Sequence, residues 1–91
     1  MKRVFLKIFG VVQGVVFRLK TQEMANNLGL SGWVKNAPDG TVEIMVEGEE
    51  LHLKKFVNWC KVGPRLAKVE RLEEKWGDVE KPSFSSFEIV Y

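Results

Sequence analysis

The residues with the clearest chemical potential are Gly10, Gly14 and Arg18, in the run Gly10-Val11-Val12-Gln13-Gly14-Val15-Val16-Phe17-Arg18. The apolar alternation Val4-Phe5-Leu6-Lys7-Ile8 leads into this run and a helical pattern leads out of it. A strand is therefore expected to end near Phe9 and a helix to begin close to Val15–Arg18. The first backbone N–H groups of a helix have no internal partner, and the helix dipole adds partial positive charge there. Glycines at 10 and 14 permit the positive φ values that turn further N–H groups toward one point. Arg18 adds a planar fork of donors that fits two oxygens of a phosphate at once. These features describe a cradle for a small dianion. A tight turn followed by a surface arginine would present the same residues. No Gly-Lys-Ser/Thr ends the loop and no GxGxxG is present, so it is not a nucleotide loop of either common kind.

Asn36 is the second candidate. It precedes Ala37-Pro38-Asp39-Gly40, where asparagine serves turn chemistry. It is also an uncharged donor and acceptor able to hold one water beside an anion. The remaining reactive residue types narrow the chemistry. His52, the single histidine, falls on a second helix away from the loop. Cys60, the single cysteine, falls on that helix's apolar stripe and reads as a small core residue. No His/Asp/Glu cluster has metal-ligand spacing. Trp33, Trp59 and Trp76 share no motif and read as packing residues. A site of one arginine, backbone N–H groups and one amide has neither a general acid nor a covalent nucleophile. It suits a substrate whose leaving group needs no protonation, and a carboxyl phosphate is such a substrate because the pKa of a carboxylic acid is roughly 4. Catalysis is then mostly positioning and charge stabilisation of the transferring phosphoryl group.

The elements that must position these residues follow from apolar spacing. Residues 3–9 alternate with the period of a strand, Val4, Leu6 and Ile8 sharing one face. From Phe17 to Leu28 the spacing becomes helical, with Phe17, Met24, Ala25 and Leu28 on one stripe and Thr21 between them; Gly29 ends it. Two strands are expected over 31–36 and 41–47, joined by a turn at Pro38-Asp39-Gly40. In the second of these, Val42, Ile44 and Val46 face the core, while Thr41, Glu43 and Glu47 face water. A helix over 49–62 carries Leu53, Phe56, Val57 and Cys60 on one face and stops at Gly63-Pro64. A strand with imperfect alternation follows over 66–76, then a polar loop, and Phe87, Ile89 and Tyr91 mark a last short strand. The order β-α-β-β-α-β predicts an α+β, ferredoxin-like split β-α-β fold, with an antiparallel sheet in strand order 4-1-3-2 and both helices on one face. That topology brings the ends of the first two strands, and so the loop 10–17 and Asn36, to the same sheet edge.

At 91 residues the chain is expected to form a single domain over 1–91, large enough for one core. The hydrophobic fraction of 45% and charged fraction of 29% are those of a soluble globular protein. One cysteine excludes an internal disulfide. With no long apolar run, signal segment or lipidation motif, the expected location is cytoplasmic, with no membrane partner. A net charge of +2 is too small to argue for nucleic acid and suits an anionic small ligand.

Over nearly its whole length the sequence resembles the acylphosphatase family. Gly10 to Arg18 is close to the family's G-x-V-Q-G-V-x-F-R, and Gly32-Trp33-Val34-Lys35-Asn36-Ala37-Pro38-Asp39-Gly40 matches its G-W-V-x-N-x-x-D-G. Gly63-Pro64-Arg65-Leu66-Ala67-Lys68-Val69 is a weaker third match. The resemblance implies hydrolysis of acyl phosphates to a carboxylate and inorganic phosphate without metal or cofactor, with phosphate as product and competitive inhibitor. It assigns phosphate binding to Arg18 within the loop Val12, Gln13, Gly14, Val15, Val16, Phe17, Arg18, and orientation of the attacking water to Asn36. Val11 stands where many members carry arginine. RNA-recognition domains share the topology, but they read bases with sheet aromatics, and residues 41–47 contain none, so no nucleic-acid partner is expected. A carbamoyl-phosphate or protein-interaction module on the same fold is the other alternative.

Overall fold

The computed structural model describes all residues, 1–91. The elements run β1 (Lys2–Val11), α1 (Phe17–Asn27), β2 (Ser31–Asn36), β3 (Val42–Gly48), α2 (Glu50–Val62), β4 (Lys68–Asp78) and β5 (Phe87–Val90). Every element expected from apolar spacing is present, and the sheet order is β4-β1-β3-β2-β5. The fold is the ferredoxin-like one. The 4-1-3-2 sheet gains β5 beside β2, and the two run in parallel, with Val34 opposite Ile89 and Lys35 opposite Val90. The sheet is therefore mixed rather than wholly antiparallel. The connection from β4 to β5 crosses from one edge of the sheet to the other, so β5 pairs with β2 and not with the strand before it.

One face of the sheet is buried. Val4, Leu6 and Ile8 of β1, Val34 of β2, and Val42, Ile44 and Val46 of β3 are fully enclosed. Phe17 and Ala25 of α1 and Leu53, Phe56, Val57 and Cys60 of α2 pack into the same core. At about 25 cal/mol per Å² of apolar area removed from water, this common core is the main stabilising term. Helix α1 lies over β2 and β5, and α2 over β4 and β1. Thr21, in the apolar stripe of α1, satisfies its buried hydroxyl by donating to the Phe17 carbonyl at 2.7 Å. Burial pushes the Cys60 thiol pKa up, as suits an inert core residue.

The strand β1 runs two residues past Phe9, to Val11, because β4 pairs with it through Lys68. The register of this pair shifts at Phe9/Gly10: Phe9 faces Arg71 and Gly10 faces Val69, leaving Glu70 unpaired in a bulge on β4. Gly10 has φ 132°, and a Cβ there would sit 2.0 Å from the Lys68 carbonyl oxygen. The close approach of β4 therefore requires glycine at the point where the loop begins.

Three side chains depart from their expected environments. Glu47 and Thr41 are buried. The loop after β4 folds over Glu47, whose carboxylate accepts from the Ser83 N–H at 2.8 Å and from the Arg3 guanidinium at 2.7 Å and 3.0 Å. Burial drives this carboxyl upward, but these hydrogen bonds outweigh it and leave its pKa below the usual value. Trp59 packs against Phe17 and Phe56, and Trp33 meets Phe5 edge-on, whereas Trp76 is 38% exposed.

Candidate active site

The segment Val12–Val16 joins the end of β1 to α1. Gly14 has φ 73° and Val16, the residue before the helix, has φ 55° and ψ 23°. The left-handed region is expected of Gly14 but is rare for a β-branched residue, and costs on the order of 1–3 kcal/mol. No side chain caps α1. Its first hydrogen bond is from Lys20 N–H to the Val16 carbonyl at 3.1 Å, and none of the turn, loop and cap bonds uses the N–H of Gln13, Gly14, Val15, Val16, Phe17, Arg18 or Leu19. A consecutive set of free donors thus lies at the positive end of the helix dipole, which is the arrangement that binds an anion.

Arg18 takes part in none of the molecule's ion pairs. Its guanidinium carbon lies 4.9 Å from the centre of the Tyr91 ring. Asn36 ends β2, and its Oδ1 is buried without a hydrogen-bond partner. A buried amide oxygen left unpaired is costly, on the order of 1–3 kcal/mol, and such exceptions concentrate at functional sites.

Arg18 and Asn36 line one pocket of about 410 Å³, together with Val12, Gly14, Val16, Phe17, Leu19, Ile89 and Tyr91. The topology expected from the sequence thus brings the loop and Asn36 together. Of the seven loop residues singled out, Gln13 and Val15 do not line the pocket. Val15 packs against the core. Gln13 turns its amide away and donates to the carbonyl oxygens of Ala37 at 2.8 Å and Thr41 at 2.9 Å. It ties the loop to the β2–β3 turn. Within that turn Ala37 N–H donates to the Thr41 carbonyl at 2.8 Å, and Asp39 accepts from the Thr41 hydroxyl at 2.6 Å and N–H at 3.1 Å. These two bonds, with Lys7 at 3.1 Å, hold the Asp39 pKa down to about 2. Val11, exposed and opposite Lys68, lies outside the pocket.

Leu19, Ile89 and Tyr91 are pocket residues that sequence reasoning missed. The alternation Phe87, Ile89, Tyr91 carried a signal for a strand. Only parallel pairing with β2 brings its far end beside Asn36. The conformation of Val16 had no sequence signal. No three His, Cys, Asp or Glu side chains converge as metal ligands anywhere in the molecule, and no helix is long and apolar enough to cross a membrane.

The fold and the site together define a class: a ferredoxin-like α+β protein with a glycine-loop cradle of free donors, an unpaired arginine and an amide at one sheet edge. The pattern of the acylphosphatase family matches residues 4–89. The chain is 45% identical over 92 residues to the acylphosphatase of Thermococcus kodakarensis, covering 99% of each. It superposes on the crystal structure of acylphosphatase from Bacillus subtilis with a TM-score of 0.93 at 39% identity, covering all of both chains. It also resembles part of HypF from T. kodakarensis, with a TM-score of 0.82 at 33% identity, covering 99% of this chain and 12% of that one. The chain belongs to the acylphosphatase family and is a hydrolase acting on acyl phosphates.

Proposed function

We propose that residues 1–91 act as one cytoplasmic domain that hydrolyses the carboxyl–phosphate bond of small acyl phosphates, with Arg18 and the loop N–H groups binding the phosphoryl group and Asn36 orienting the attacking water. The observation that carries this reading is the convergence on one pocket of free backbone donors, an unpaired guanidinium and a buried, unpartnered amide oxygen. The loop donors and Arg18 hold the phosphoryl oxygens and take up the negative charge that spreads over them as the reaction proceeds. The Asn36 amide oxygen accepts a hydrogen bond from the water and aims its oxygen at phosphorus. The water oxygen–phosphorus bond forms, the bond from phosphorus to the acyl oxygen breaks, and the carboxylate leaves with the bonding pair. The water's proton passes to phosphate or solvent, so no side chain of the site needs to change protonation state.

The purified chain should release phosphate from benzoyl phosphate, with inorganic phosphate inhibiting competitively. Exhaustive dialysis against EDTA should leave turnover unchanged. Absence of turnover would overturn the hydrolase reading. A loss on dialysis that Mg²⁺ or Zn²⁺ restores would overturn the metal-independent mechanism.

A further inference from the structure

Charge is divided unevenly between the two ends of the sheet. The end that carries the cradle is built from the β1–α1 loop, the first turn of α1, the close of β2, the turn after α2 and the start of β4. Residues 9–20, 34–38 and 60–69, which lie there, contain no Asp or Glu. Glu47, Glu49, Glu50, Asp78 and Glu80 lie toward the other end, where Lys2 of β1 faces Gly48 and Asp78. Among the cations at the cradle's end, Lys20, Lys35 and Lys61 are paired with Glu23, Glu43 and Glu74. Arg65 and Lys68 are exposed and enter no ion pair.

Both free cations flank the cradle. Lys68 stands opposite Val11, the residue before the pocket-lining Val12, and its carbonyl oxygen is what a Cβ at Gly10 would strike. Arg65 is two residues past Gly63. A Cβ at Gly63 would sit 3.0 Å from the ring of Phe17, itself a pocket residue, and 3.5 Å from Ala67. The turn 63–67 is therefore packed against the start of α1. Neither Arg65 nor Lys68 lines the pocket. Glu70, in the β4 bulge, is exposed and unpaired, and it is the first carboxylate along the chain after this pair. A charge that does not touch a ligand still acts on it through the solvent. Unpaired cations at the mouth of a cradle raise the local concentration of an anion there.

We propose that Arg65 and Lys68 form an electrostatic approach to the cradle, drawing in doubly charged phosphoryl ligands at a distance without contacting the bound phosphate. The inference rests on the reading of the loop as a phosphoryl cradle and adds residues outside the pocket. The attraction scales with ligand charge, so these cations favour a dianion over a monoanion of the same size. Glu70 opposes them. The field acts alike on the bound ligand and on the transition state, so it belongs in kcat/KM and not in kcat.

The test is the salt dependence of phosphate binding, measured by calorimetric titration at pH 8 for the wild type, the double variant Arg65→Gln/Lys68→Gln, and Glu70→Gln. All three side chains are exposed, so the variants keep the core. At a separation on the order of 10 Å, one unit charge changes the affinity for a dianion roughly two- to fourfold at low salt. At an ionic strength of about 0.01 M the double variant should bind phosphate roughly five- to tenfold more weakly than wild type, and Glu70→Gln roughly two- to fourfold more tightly. The three proteins should converge at about 1 M, where the screening length falls to about 3 Å. For benzoyl phosphate, kcat/KM should follow the same pattern with kcat unchanged. Equal affinity of the double variant and wild type at low salt overturns the proposal. A loss that persists undiminished at high salt also overturns it, since the side chains would then touch the phosphate or hold the loop in place. A wild type that binds phosphate and hydrolyses no acyl phosphate overturns the hydrolase reading alone. A wild type that binds no phosphate overturns the cradle and this inference with it.

Discussion

Gln13 and Ala37 are joined by a hydrogen bond of 2.8 Å from the Gln13 amide to the Ala37 carbonyl. The same amide nitrogen reaches the Thr41 carbonyl at 2.9 Å. This pair is the direct mechanical link between the loop that presents the free N–H groups and the turn that follows Asn36. Its removal takes one of two donors from each carbonyl oxygen, leaving the Gly40 N–H on Ala37 and the Ala37 N–H on Thr41. Gln13→Ala should lower stability by about 1–3 kcal/mol and reduce kcat, because the loop and Asn36 lose their common reference. Gln13→Glu should be the more destabilising at neutral pH, since a carboxylate cannot donate and would face two carbonyl oxygens. Thermal unfolding and steady-state kinetics of the two variants check this; a Glu variant as stable as wild type would show that the link is unimportant.

Arg18 has no carboxylate partner, so its charge is uncompensated in the pocket. Lysine keeps the charge but loses the planar fork. If one charged hydrogen bond of roughly 1.5–3 kcal/mol is lost, Arg18→Lys should lower kcat/KM at least about tenfold and weaken inhibition by phosphate. A folded Arg18→Lys protein with wild-type phosphate affinity and turnover would refute the role given to Arg18.

For Asn36 the prediction separates catalysis from both binding and stability. Its Oδ1 has no partner in the protein, so Asn36→Ala removes no internal hydrogen bond made by that oxygen, and thermal stability should stay near wild type. The dianion is already held by Arg18 and the loop, so inhibition by phosphate should also persist. The loss should appear in kcat, on the order of 10²–10³, because orienting the water matters only as the reaction proceeds. Phosphate titration beside steady-state kinetics decides the matter. Weak phosphate binding with near-normal kcat would make Asn36 a binding residue instead.

Acid should weaken the turn that follows Asn36. The Thr41 hydroxyl and N–H, with Lys7, hold the Asp39 pKa at about 2, below its ordinary 3.8. A depressed folded-state pKa means that the stabilisation is fully present above 3.8 and is lost as pH falls through about 2. Asp39→Ala should therefore be less stable than wild type at pH 6, with the gap closing as pH falls through that window. Glu47 titrates in both proteins and cancels in the comparison. Thermal unfolding of both across the acid range is the measurement, and a gap that stays constant down to pH 2 would contradict it.

Much of this molecule was legible from residue order alone. The period of two in Val4, Leu6 and Ile8 and in Val42, Ile44 and Val46 places their faces correctly, because alternation is a property of the strand itself. The helical stripes of α1 and α2 follow in the same way, as does the meeting of the loop with Asn36, since few topologies satisfy β-α-β-β-α-β. What lay beyond the sequence depended on segments far apart in it. Glu47 carries the sequence pattern of a solvent-facing strand residue, and it is buried only because the loop around Ser83 folds over it. The side chain of Gln13 reads as part of an anion loop, and only the arrival of the Ala37–Thr41 turn gives its amide two acceptors.

The sequence by itself determined the elements, their inward faces, the place of glycine at the loop and the family to which the motifs point, because these rest on local periodicity and backbone freedom. The tertiary structure alone decided that Val16 takes a left-handed conformation, that β5 runs parallel to β2, and that Tyr91 lies beneath Arg18. Each of these is settled by which distant backbone occupies the neighbouring space. A short strand such as β5 carries the same alternation whichever way it pairs.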